Sequence, residues 1–251
     1  MKFTNKFTGK ATIYSKYRSS YPMAYINYLI NRNGLTNNHT LADIGSGTGI
    51  LTKQLLDQKL KVIAIEPNSD MRISAEKELN HYEQFTSLNA AAENTGLPNN
   101  SVDLITVAQA FHWFDKDKFK MECQRILKQD ANVALVWNSR VSSSDLILEN
   151  AEICKKHCPA FVGFSGGIEE TPEMFKQFFR NGTYEFKEFE NHLEYDLNSF
   201  IGRNISASYA PKETDDSYSH FIQSLSELYY KYSKNNVLIM PNLTRSYIGQ
   251  V

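Results

Sequence analysis

The stretch Thr40–Leu55, TLADIGSGTGILTKQL, decides the fold. A short apolar run, Leu41-Ala42, leads into Asp43-Ile44, and glycines then stand at every second position: Gly45, Gly47 and Gly49. Leu51 and Leu55 follow at helical spacing. A strand enters, a helix leaves, and the turn between them is made of residues that permit positive φ and let another group approach the backbone. A dinucleotide fingerprint needs G-x-G-x-x-G, whose last glycine would be residue 50, and that residue is Ile50. The spacing therefore disfavours NAD. A tight turn with no ligand accounts for a lone glycine, but poorly for three of them with Asp43 in front and Glu66 ending the next strand.

The same rhythm continues outward from this turn. The strand HTLADIG is followed by a helix from about Ile50 to Gln58. KVIAIEP reads as an apolar strand, and the helix behind it carries Met71, Ala75 and Leu79 four residues apart. QFTSLNA is a weaker third strand and SVDLITVAQA a strongly apolar fourth. A helix from Asp115 to Lys128 places Phe119, Cys123, Ile126 and Leu127 on one face, with Asp115 as its N-cap. NVALVWN is the fifth strand, and PMAYINYLINRNG, upstream of all of these, is a helix started by Pro22 and closed by Gly34. Strands that are apolar throughout need both faces covered, so the alternation predicts a parallel sheet between helix layers. Ligands of such sheets bind beyond the carboxyl ends of the strands. Those ends are Asp43–Gly49, Glu66, Ala90–Glu93, Gln109–Trp113 and Trp137–Arg140.

After Asn138 the rhythm changes. SSSDLILENAEICKKHC and TPEMFKQFFRNG read as helices, the second with Thr171-Pro172 as N-cap and first turn. TYEFKEFE is a strand, SHFIQSLSELYYKYS a helix, and NVLIMP through RSYIGQV returns to strand. The 251 residues are 41% apolar and 22% charged with a formal net charge of −1. That balance suits one large globular domain and gives no electrostatic case for nucleic acid. No run approaches the ~18 apolar residues that span a bilayer. The N-terminus lacks the continuous apolar centre of a signal peptide. Three cysteines, Cys123, Cys154 and Cys158, suit a reduced, cytoplasmic setting.

LADIGSGTGILT resembles the cofactor loop of class I S-adenosylmethionine-dependent methyltransferases. AIEPNSDM resembles the segment that holds the ribose. AAENTGLPNNSVDLITVAQAFHWFD resembles the adenine segment and fourth strand of the methyltransferase 11 group, particularly its trans-aconitate methyltransferase-like members. FTGKATIYSKYRSSYP is similar to their N-terminal lid and FIGRNISASYAP to a late substrate-side segment. The resemblance implies a Rossmann-like α/β fold: a seven-stranded methyltransferase sheet flanked by helices, with a helical lid inserted after strand five. It implies one domain over residues 1–251: a lid and first helix (1–34), a cofactor-binding core (35–140), a helical substrate-side insertion (141–182) and C-terminal strands and helix (183–251).

The cofactor it implies is S-adenosylmethionine, with S-adenosylhomocysteine as product. Gly45, Ser46 and Gly47 would bring backbone against the cofactor, with Gly49 packing the helix onto the strand. Asp43 would organise the loop and the cofactor's ammonium. Glu66, followed by Pro67, would accept hydrogen bonds from both ribose hydroxyls. Ala92 and Glu93 would line the adenine, and Gln109 would offer its carbonyl to the ammonium. Tyr14 and Arg18 would close over the cofactor. Two departures stand out. Ala91 replaces an acid that many relatives use on the adenine amino group, and Gln129-Asp130-Ala131 replaces their Pro-Gly-Gly, so that turn must be built differently.

The sulfonium already activates the methyl group, so the protein must chiefly align donor and acceptor. A base is needed only when the acceptor loses a proton. His112, just past the fourth strand, is the candidate catalytic residue; the blander reading is that it caps the loop or packs on the cofactor. Arg140 is a candidate for an anionic substrate, against the blander reading of a solvated arginine. Ser206 and Tyr209 could face an acceptor or simply pack. Cys154, His157 and Cys158 share a helix face, but zinc wants four ligands and no partner pair is visible, so no metal is expected. The leading reading is methyl transfer to an O, N or carboxyl group of a small molecule, with neither nucleic acid nor membrane as partner and the oligomeric state open. Its rivals are a non-catalytic S-adenosylmethionine-binding protein and an enzyme acting on nucleic acid. QAFHW, where an Asn/Asp-Pro-Pro-aromatic tetrapeptide would serve base-amino methylation, argues against the latter.

Overall fold

The computed structural model describes residues 19–164, 171–207 and 209–251. Its main sheet has seven strands: β1 (Thr40–Ile44), β2 (Lys61–Ile65), β3 (Phe85–Leu88), β4 (Val102–Ala108), β5 (Leu127–Arg140), β6 (Glu185–Glu190) and β9 (Asn242–Gly249). They lie in the order β3-β2-β1-β4-β5-β9-β6. The first five run parallel, and β9 is antiparallel to both β5 and β6. The expected Rossmann-like α/β architecture is therefore present. The order reverses at β1, which opens the crevice above the Gly45–Gly49 turn.

Alternation along β1 divides the core. Ala42 and Ile44 face one cluster with Val107, Phe111, Phe119, Trp137, Phe175 and Phe178. Leu41 faces the other, filled by α1 (Met23–Arg32), α2 (Ile50–Asp57) and α3 (Ser69–Leu79). α4 (Lys116–Ile126) and α6 (Pro172–Phe178) cover the first face. The four-residue spacing in α3 buries Met71, Ala75 and Leu79 as expected, and the Asn68 side chain caps that helix by accepting from Met71 N at 3.0 Å. Asp115 and Thr171 cap α4 and α6 in the same way.

Three expectations change. The helix expected to reach Lys128 stops at Ile126, because Leu127 is extended (φ −66°, ψ 139°) and opens β5 opposite Val102. β5 is thus longer than NVALVWN, and the Gln129–Ala131 turn is an irregularity within it: register slips between Val102 and Leu104, and Asp130 takes φ +62°. The final strand region divides at Pro241. β8 (Leu238–Met240) pairs with β7 (Leu193–Tyr195) in a separate two-stranded sheet, while β9 enters the main one. Residues 197–205, not read as a helix, form α7 (Leu197–Ile205), with Asp196 accepting from Ser199 N at 2.7 Å.

The helices of residues 141–182 pack in two places. α5 (Asp145–His157) packs with α7, α8 (Tyr218–Tyr232), β7 and β8 in a third cluster built around Phe200, Phe221, Leu225 and Leu238. α6, by contrast, belongs to the main sheet through Phe175 and Phe178. The reason is chemical: α6 carries aromatic residues that β5 and β9 bury between Trp137 and Tyr247. No helix among the described residues is long and apolar enough to cross a membrane.

Candidate functional site

All three glycines of the turn take positive φ: +70° at Gly45, +58° at Gly47 and +81° at Gly49. They serve different ends. A Cβ on Gly45 would stand 2.6 Å from Ala110 Cβ, and one on Gly49 2.6 Å from Leu79 Cδ1, so both glycines allow close packing. A Cβ on Gly47 would meet nothing within 4 Å. Gly47 is therefore glycine for its conformation, with open space beside it. Ser46 Oγ, beside it, is buried and has no hydrogen-bond partner among the described residues.

The turn is held from both sides. Ile65 O accepts from Gly45 N (2.8 Å) and Ser46 N (3.2 Å). Glu66 Oε2 accepts from Gly47 N at 3.0 Å and Oε1 from Asn68 N at 2.8 Å. Each carboxylate oxygen thus takes one backbone donor and keeps a lone pair for another. Burial pushes the Glu66 pKa up, opposed by those two backbone donors and by Arg72. Pro67 follows, exposed.

Asp43 lies fully buried beneath the turn. Its carboxylate accepts from Thr52 Oγ1 (2.6 Å) and Thr106 Oγ1 (2.9 Å). Burial lifts its pKa to about 6; the two hydroxyls pull the other way, and the Glu66 charge adds to the rise. Both threonines were missed. Thr52 sits among Leu51, Leu55 and Leu56 on the buried face of α2, and Thr106 interrupts an apolar strand. A hydroxyl on an otherwise apolar buried face was the available signal.

The remaining candidates lie beyond the carboxyl ends of β3 and β4. Ala92 is buried, and Glu93 Oε1 accepts from Asp115 N at 2.8 Å, tying that segment to the turn after β4. Gln109 takes φ +59°, a strained conformation for a non-glycine residue, and its Nε2 donates to Asn138 O at 3.1 Å. His112 lies half-buried in a 3₁₀ turn, Phe111–Trp113, its ring 4.6 Å from that of Trp113. Asn138 Nδ2 in turn donates to Ser19 Oγ (3.1 Å) and Ser20 O (3.2 Å), and Asn191 Nδ2 joins Ser20 O, Asn138 Oδ1 and Thr244 Oγ1. This anchor fixes residues 19–20 against the end of β5. Tyr14 and Arg18 lie outside the described residues.

Arg140, the last residue of β5, is not a solvated arginine. Its guanidinium stacks over the Phe164 ring at 4.1 Å, and its Nε is buried without a hydrogen-bond partner. Burial, then repulsion from Arg203, lowers its pKa to about 10. Cys154, His157 and Cys158 are buried structural residues: Cys154 Sγ reaches Asn150 Oδ1 (3.8 Å) and His157 Nε2 meets Ser224 Oγ (3.2 Å). No His/Cys/Asp/Glu group among the described residues could hold a metal ion.

Residues 42–135, which contain the glycine turn, Glu66, Gln109 and His112, match the family model described as a methyltransferase domain. Over that span the chain is similar to methyltransferase domains. An uncharacterized methyltransferase of Mycobacterium tuberculosis is 34% identical over 140 residues, 56% of this chain and 55% of that protein. The chain thus spans about half the length of the curated relatives it matches. Among solved structures, the domain resembles the YcgJ protein of Bacillus subtilis (TM-score 0.55, 19% identity, 92% of this chain and 100% of that one). It also resembles Haemonchus contortus phosphoethanolamine N-methyltransferase 2, solved with phosphomonomethylethanolamine and S-adenosylhomocysteine (TM-score 0.57, 13% identity, 100% of this chain and 59% of that one). At these identities the likeness is one of fold.

Proposed function

We propose that this protein is an S-adenosylmethionine-dependent methyltransferase that methylates a small molecule by in-line displacement. The observation that carries the reading is the pairing of Gly47 with Glu66: an open glycine at positive φ whose N–H is held by a carboxylate ending the next strand. The residues fit the cofactor. Glu66 has lone pairs for a vicinal diol, Ser46 Oγ has a free hydrogen-bonding position, and the Gly47 backbone is approachable. When bound, S-adenosylmethionine supplies a methyl group activated by its sulfonium. The chain's own part is to align and to exclude water. Glu66 would hold the ribose, Ala92 and Glu93 the adenine, Gln109 and Asp43 the amino-acid end, and Tyr14 and Arg18 would complete the enclosure. The helical layer of α5, α7 and α8 would form the acceptor side. The closer resemblance to trans-aconitate methyltransferase-like proteins belongs to this proposal too, carried by the sequence segments alone. Isothermal titration with S-adenosylmethionine, then a labelled-methyl screen of metabolites and of RNA and DNA, tests it. Binding without transfer to any acceptor would leave a cofactor-binding protein instead.

The glycines give a paired test. Gly49→Ala forces a side chain into φ +81° and against Leu79, and is expected to cost about 2 kcal/mol of stability. Gly47→Ala carries only the backbone cost, about 1 kcal/mol, yet should weaken S-adenosylmethionine binding ~10-fold, since each 1.4 kcal/mol is tenfold. Urea unfolding and calorimetry of both variants separate packing from approach. If Gly47→Ala binds as the parent does, the cofactor does not come close to that backbone.

His112 is expected to position groups rather than to move a proton. His112→Gln should retain most of the turnover, with a pH profile parallel to that of the parent. A base would show a loss on the order of 10²-fold and an activity rise through the ordinary histidine range, roughly 6–7. That pair of results would reverse the assignment.

A further inference from the structure

We propose that Arg140 binds an anionic group, a carboxylate or a phosphate monoester, on the methyl acceptor. The proposal rests on the methyltransferase reading and adds the acceptor's chemical class. Arg140 lies at the carboxyl end of β5, two residues beyond Asn138, whose carbonyl takes the Gln109 amide. Two residues of strand span roughly 7 Å, which puts the guanidinium near the crevice. It emerges where the sheet meets the third hydrophobic cluster. One face of the guanidinium is covered by Phe164, whose ring meets Phe161 at 5.2 Å, and Phe161 meets Tyr209 at 4.9 Å. The site is thus an arginine on an aromatic wall.

A structural arginine in such a place would be matched by a carboxylate. Arg32, Arg72, Arg125 and Arg245 each have a glutamate within ion-pair distance. Arg140 has no such partner among the described residues, and its Nε donor is buried unused. A guanidinium packed on an aromatic ring with an orphaned buried donor is costly to fold and is explained by an anion that completes it. The planar fork of Arg140, kept flat by Phe164, suits a bidentate oxyanion. A group clamped in that way has its lone pairs engaged and its charge neutralised, which makes it a poor nucleophile. The arginine-held anion is therefore the handle, and the methyl group goes to a different O or N of the same molecule.

The test uses the full chain and two readouts. Thermal shift with malonate, citrate and inorganic phosphate reads anion binding without any turnover. Labelled-methyl transfer to hydroxy and amino acids and to phosphomonoesters, each beside its amide or alcohol counterpart, reads acceptor class. We expect at least one anion to stabilise the protein and the charged member of an active pair to be preferred. We expect Arg140→Gln to weaken both effects ~10-fold or more, and Arg140→Lys to recover part of the loss. Calorimetry with S-adenosylmethionine on the same variants should show unchanged cofactor affinity. Absence of stabilisation by every anion, equal use of neutral counterparts, anion effects that survive Arg140→Gln, or methylation of the held anion itself would each overturn the proposal. Loss of S-adenosylmethionine binding in the parent protein, with anion stabilisation intact and dependent on Arg140, would instead overturn the methyltransferase reading alone.

Discussion

Glu66→Ala is expected to weaken S-adenosylmethionine binding by about 2–3 kcal/mol, on the order of 30- to 150-fold in Kd. The magnitude is that of charged hydrogen bonds lost from a site shielded from water. Glu66 does two things in the structure. It anchors the turn by accepting from Gly47 N and Asn68 N, and it keeps one acceptor position per oxygen for hydroxyl donors. A plain affinity loss could come from either. The two separate when the parent and Glu66→Ala are titrated with both S-adenosylmethionine and its 2′-deoxyribose analogue. If Glu66 holds the diol, the parent loses affinity for the analogue and the variant does not. Equal penalties in both proteins would assign Glu66 to the turn alone, and an unchanged Kd would remove the ribose assignment. The pH dependence has a definite sign. Burial raises the Glu66 pKa above the ordinary 4.5, and the ionised form is the better acceptor. Affinity should fall as pH drops through that raised value, and the fall should be absent in the alanine variant.

The first 140 residues were legible because each element there announces itself locally. Three alternate glycines can only be a turn needing positive φ, and the structure places all three there. Met71, Ala75 and Leu79 repeat at helical spacing and are buried together. Asp115 and Thr171 cap helices because their side chains compete for backbone donors, a preference that needs no tertiary knowledge. The second half was harder for a physical reason. β7 and β8 are three residues each, too short for a period to show, and they pair across about forty residues of intervening chain. α7 contains Gly202 and Asn204, poor helix formers, and is held by Phe200 in the third cluster rather than by propensity. The candidate side chains divide in the same way. Glu66 and Gln109 could be placed because strand ends converge in a parallel sheet. The environment of Arg140 could not, since Phe164 and Arg203 reach it from segments 24 and 63 residues away in sequence.

Asp43→Asn is expected to change the pH dependence of folding by about 3 kcal/mol, the largest single effect the structure implies. Asp43 is fully buried, and its pKa stands at about 6 against the ordinary 3.8. That difference corresponds to about 3 kcal/mol between the two protonation states. An acid with a raised folded pKa keeps its proton in the folded state while the unfolded chain has already released its own. Between about pH 4 and 6 the folded form therefore binds more protons, and stability falls as pH rises. Below that window both forms are protonated and the penalty is absent; above it the penalty is complete. Asparagine at this position is neutral throughout. It can still accept from one threonine hydroxyl through Oδ1 and donate to the other through Nδ2, since a hydroxyl serves as donor or acceptor. The stability of Asp43→Asn minus that of the parent should rise by about 3 kcal/mol from pH 4 to pH 7, whatever its offset at pH 4. Urea unfolding at four pH values reads the difference, in which titrating groups not coupled to Asp43 cancel to first order. Parallel curves would mean that Thr52 and Thr106 already offset the burial of the charge. Repeating the series with S-adenosylmethionine tests the ammonium assignment. A cation near Asp43 lowers its pKa, so parent affinity should climb through pH 6 and the variant's should not.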